Sequence, residues 1–199
     1  METKIFEQIK EKCQKKKAVS LCNKLLKKCS FKSGADCENL CHLAYWLYIY
    51  GEKELAMGCV ALTHNAPFEA NYNVWDFIHF MWGLQMRLLR EQGKEGEAQR
   101  IADAINAHLL TPSKIMTPDQ MPAREEKRRS RFTYEDIIVK EKVERALREN
   151  DLTGANEWRF IALLGMIGNT ETGFYPKLNE HKRQIEEKII EYISELSKS

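Results

Sequence analysis

Apolar side chains along this chain recur at three and four positions, not at two, which is the period of one buried helical face. Leu40, Leu43, Ala44 and Leu47 form one such run, Trp82, Met86 and Leu89 a second, and Ile185, Ile189, Tyr192, Ile193 and Leu196 a third. Proline cannot occupy a helix interior without losing a hydrogen bond and clashing with the preceding turn. Pro67, Pro112, Pro118, Pro122 and Pro176 leave long tracts between them that are free of it. The pattern predicts an all-α protein with helices over 2–16, 18–30, 36–50, 52–64, 73–92, 94–109, 133–149, 153–168 and 176–197.

Helix starts are marked by a short polar side chain followed three residues later by an acid, which suits the positive end of the helix. Ser33 with Asp36, Asn73 with Asp76, and Thr133 with Asp136 fit this spacing. Between 111 and 132 runs TPSKIMTPDQMPAREEKRRSRF, a connection long for a compact helical domain. It divides a single helical domain, residues 1–199, into a block at 1–110 and a smaller one at 133–199.

A common pattern surrounds two glycines. Gly51 follows Leu40, Leu43, Ala44 and Leu47 and precedes Ala56 and Val60; Gly93 follows Trp82, Met86 and Leu89 and precedes Ala98 and Ala102. A glycine can close a helix in the left-handed conformation, and a small alanine five residues on lets the next helix pack back closely. The unit is an antiparallel helical hairpin.

Over residues 36–109 this resembles the tetratricopeptide repeat, although the glycines stand 42 positions apart (51 to 93) and Gln85 replaces the leucine that family prefers. The resemblance implies a right-handed stack of hairpins with a concave face and a carboxy-terminal capping helix. Groove positions then fall on Glu38, Cys41, Tyr45 and Tyr48 in the first unit and Phe80, Gly83, Arg87 and Arg90 in the second. Tyrosine beside arginine is a composition enriched at protein interfaces. Asp76, His79, Gly83, Arg87 and Arg90 also form one polar seam along the otherwise apolar helix at 73–92.

Composition adds few constraints. With 43% hydrophobic and 30% charged residues the chain has an ordinary globular balance. No run reaches the length of about 18 uncharged apolar residues that a membrane span needs. The opening METKIFEQIKEKCQKKK is charged throughout, unlike a secretory signal, so a cytoplasmic location is expected. The six cysteines are then expected as reduced, mostly buried thiols. Charge is uneven: residues 1–33 hold ten lysines and three glutamates, while the remaining chain is slightly acidic.

Candidate chemistry is sparse. Asp76 and His79 lie one turn apart, an arrangement that can orient a base, but no nucleophile motif accompanies them and Asp76 has a capping role to fill. Among Cys37, Cys41, His42, Cys59 and His64, the first two share a helical face but His42 points about 100° away from Cys41, and structural zinc knuckles usually lie on loops, so no metal or cofactor is expected. REEKRRSR at 124–131, with the lysine-rich first helices, would suit nucleic-acid phosphates, yet no aromatic residues interleave with the lysines. GMIGNTETG at 165–173 matches no phosphate-binding loop. The expected function is therefore non-catalytic: a protein-binding module whose groove includes Tyr45, Tyr48, His79, Arg87 and Arg90. Neutralisation of a bacterial toxin would be a specific case, and nucleic-acid association is the competing reading.

Overall fold

In a computed structural model, the described residues are 3–27, 33–117, 119–120 and positions 183, 187, 190, 191, 193 and 194. Their regular elements are all helices, with no strand among the described residues. The helices are α1 (Thr3–Lys12), α2 (Lys16–Lys27), α3 (Gly34–Ile49), α4 (Lys53–Ala61), α5 (Tyr72–Glu91) and α6 (Glu95–Leu109). Expected helices at 133–149 and 153–168 lie outside the described residues. In the last expected segment, 176–197, the six described positions are helical, and Ile193 is partly buried against the core.

Both glycine turns close as the spacing predicts. Gly51 and Gly93 take φ of +84° and +74°. In the first, the Gly51 amide donates to Tyr48 O at 3.0 Å and the Glu52 amide to Leu47 O at 2.8 Å; in the second, Gly93 donates to Arg90 O and Lys94 to Leu89 O, both at 2.9 Å. This paired bonding occupies carbonyls that a helix end would leave without partners. Ala56 and Ala98 are fully buried behind these turns, where only a small side chain fits between paired helices.

Helix starts divide. The Ser33 hydroxyl accepts from the Asp36 amide at 3.2 Å, as expected. At α5 the cap is Asn71, whose side-chain oxygen accepts from the Asn73 amide, so the cap lies two residues before the predicted one and Asp76 has no place in a capping box there. The backbone reaches this start through Ala70, the one non-glycine described residue at positive φ (+54°).

Consecutive helices pair as α1/α2, α3/α4 and α5/α6. Helix α3 packs against α4, α5 and α2, while α1 lies against α2 and α4. Enclosure on three sides explains why every residue of α3 from Leu40 to Ile49 is buried. Its sequence is apolar all round, as a central helix requires. Helix α5, by contrast, keeps a half-exposed edge at Asp76, Phe77, Trp82, Gln85, Arg87 and Arg90.

Candidate functional site

Where the carboxy-terminal ends of α3 and α5 meet, four polar side chains join. Arg87 Nε donates to Tyr48 Oη at 2.6 Å, and Tyr48 Oη donates to Glu91 Oε1 at 2.9 Å. Lys53 Nζ, in the first turn of α4, reaches Glu91 Oε2 at 2.7 Å. The Arg87 guanidinium also stands 5.7 Å from the Tyr48 ring centre. Burial pushes the Tyr48 hydroxyl up to about 12, against the lowering by Arg87, so it stays protonated and donates to the carboxylate. Two cations on one carboxylate leave the ledge with one excess positive charge.

Its exposure is graded: the Arg87 side chain is 19% exposed, Glu91 32% and Lys53 51%. A guanidinium held from behind by a tyrosine and a glutamate has lost most of its rotamer freedom before any partner arrives. Beside it, Arg90 Nε pairs with Glu95 at 3.1 Å across the Gly93 turn.

The structure divides the five residues expected to line a groove. Tyr48 and Arg87 come together on the ledge, and Arg90 lies at its edge. Tyr45 is inside the protein, its hydroxyl donating to Phe80 O at 2.7 Å and held well above its ordinary pKa by burial. His79 is fully buried and faces α6. Neither offers an open surface: Tyr45 is closed between α3 and α5, and His79 lies against His108 of α6 among Trp75 and Trp82.

His79 belongs to a second cluster. Its Nε2 lies 3.1 Å from His108 Nδ1 on α6, so one ring donates to the other. Phe68 stacks on His108 with ring centres 3.8 Å apart, Trp75 meets His108 edge-on at 5.0 Å, and Trp82 stands 6.0 Å from His79. Tyr72 Oη donates to the carbonyls of His108 and Thr111, and Trp82 Nε1 donates to Thr63 Oγ1 at 3.0 Å. Burial, with the neighbouring His108, lowers His79 to about 3; burial also lowers His108. Both rings are neutral near pH 7, and the cluster ties α5, α6 and the connection at 62–71 together.

Cys13, Cys22, Cys37, Cys41 and Cys59 are buried and in no disulfide. Burial pushes Cys22 up to about 12 and Cys41 well above its usual value. Among the described residues no group of three or more His, Cys, Asp or Glu is placed to hold a metal ion, and no helix is long and apolar enough to cross a membrane.

The extent of the match to known families decides the affiliation: one family model covers residues 1–197. The chain belongs to DUF6707, a family of unknown function. No curated protein and no solved structure matches it. Sequence reasoning missed Lys53, Glu91 and His108, which join their clusters only across helices. One signal was available: Lys53 follows Gly51 by two residues and Glu91 precedes Gly93 by two, so both sit at hairpin turns.

Proposed function

We propose that the protein is a non-catalytic binding module that holds another protein on the ledge built by Tyr48, Arg87, Glu91 and Lys53. The carrying observation is the braced guanidinium: Arg87 fixed by Tyr48 at 2.6 Å and still partly exposed. Aromatic and arginine side chains in rigid, half-desolvated settings dominate binding energy at protein interfaces. A groove within a right-handed stack of tetratricopeptide-like hairpins would place this ledge at its rim. Supporting a non-catalytic role, His79, the best-placed base in the sequence, has no surface through which a substrate could reach it.

The test is affinity capture and quantified rebinding with wild type, Arg87→Ala, and Lys53→Ala, whose side chain is exposed enough to be removed without harming the fold. Arg87→Ala should weaken the recovered complex roughly tenfold or more, and Lys53→Ala less. A partner bound equally well by all three would refute the ledge. The narrower reading, neutralisation of a toxin, rests on analogy of fold alone; rescue of cells from the captured partner's toxicity would test it.

A further inference from the structure

The amino-terminal hairpin carries a charge array that the ledge does not use. Residues 10–27 hold seven lysines and a single carboxylate, Glu11. Lys12 ends α1, Lys15 lies in the turn, and Lys16 and Lys17 open α2, so four ammonium groups gather at one end of the hairpin. Lys12 and Lys16 are exposed, and no described carboxylate pairs with them or with Lys15; Glu7 and Lys10 form an ion pair further back along α1. No acid occupies the first turn of α2, where one would favour the helix, and lysines stand there instead. These charges oppose the helix they begin.

Folding adds what the linear sequence lacks. The last turn of α3 brings Trp46 and Tyr50 to this end, stacked with centres 5.4 Å apart. Lys15 Nζ lies 5.3 Å from the Tyr50 ring centre and Lys17 Nζ 6.0 Å from that of Trp46. Tyr50 is half-buried, and the exposed Lys15 lies over its ring. The exposed large apolar residues among those described are Leu110, Ile115 and Ile190, none of them here. A membrane surface would want apolar side chains to insert. A cluster of ammonium groups beside an aromatic ring is instead the pairing that serves single-stranded nucleic acid.

We propose that the lysine end of the α1/α2 hairpin binds the phosphate backbone of single-stranded nucleic acid, with Tyr50 stacking a base. This surface is separate from the ledge, and its failure would leave the protein-binding reading untouched. The test is fluorescence anisotropy with a labelled oligouridylate of about 20 nucleotides, long enough for one site. With about four phosphates neutralised, affinity should fall roughly fiftyfold between about 50 and 200 mM salt. The triple variant Lys12→Gln/Lys15→Gln/Lys16→Gln, with unchanged circular dichroism, should bind at least tenfold more weakly and show a shallower salt slope. Tyr50→Leu should weaken binding with the slope preserved. No binding at low salt, equal binding by the triple variant, or tighter binding of polyglutamate than of the oligonucleotide would overturn the proposal.

Discussion

His79 shows how much a residue's role depends on what folding places beside it. In sequence its neighbour one turn away is Asp76, which suggests a base and its orienting acid. In the structure the Nε2 atom meets His108, a residue 29 positions on, among Phe68, Trp75 and Trp82. The consequence is measurable. Because burial lowers His79 from 6.5 to about 3, the unfolded chain binds more protons than the folded one between these values. Stability is therefore fully present above about pH 6.5 and is lost as pH falls toward 3. At about pH 5 the loss from His79 alone should be about 2 kcal/mol relative to neutral pH. Urea unfolding at the two pH values measures it, and His79→Phe should flatten the dependence; an unchanged pH slope in that variant would refute the assignment.

At the scale of elements, local chemistry was legible. Gly51 and Gly93 end α3 and α5 in the left-handed region, where any other residue is strained. A Cβ added at either would meet nothing within 4 Å, so Gly51→Ala and Gly93→Ala test strain alone and should each cost about 1 kcal/mol. Gly96 provides the opposite sign. It lies inside the first turn of α6 with open space around it, and Gly96→Ala should stabilise by about 0.5 kcal/mol. Thermal or denaturant midpoints of the three variants would show both effects. The cap of α5 was misplaced by two residues because Asn71 and Asn73 are both good caps, and the choice between them depends on how Ala70 delivers the chain.

For the whole molecule, the arrangement of α1 is the least expected feature. It packs on α4 as well as on its partner α2, and Gly58 makes the approach possible: a Cβ there would stand 2.8 Å from Ile5 Cδ1. Because that atom is the tip of a side chain, Gly58→Ala should be absorbed by a small rotation. Gly58→Leu should cost about 1–3 kcal/mol by overpacking and raise hydrogen exchange in α1. Combining it with Ile5→Ala should restore part of the loss; no recovery would argue against this contact.

Periodicity, proline placement and turn chemistry by themselves determined that the described part of the chain is helical, where α3 through α6 lie to within a few residues, and how two of the turns close. Those properties depend on residues within about five positions of one another. Only tertiary structure decided which surfaces exist. Tyr48 meets Arg87 and Glu91 across 39 and 43 positions, and Trp46 and Tyr50 come under Lys17 and Lys15 across 29 and 35. The packing of α5 against α3 and α6 buries Tyr45 and His79 and leaves Arg87 partly exposed, because it is set by how the helices meet and not by the spacing of any one segment.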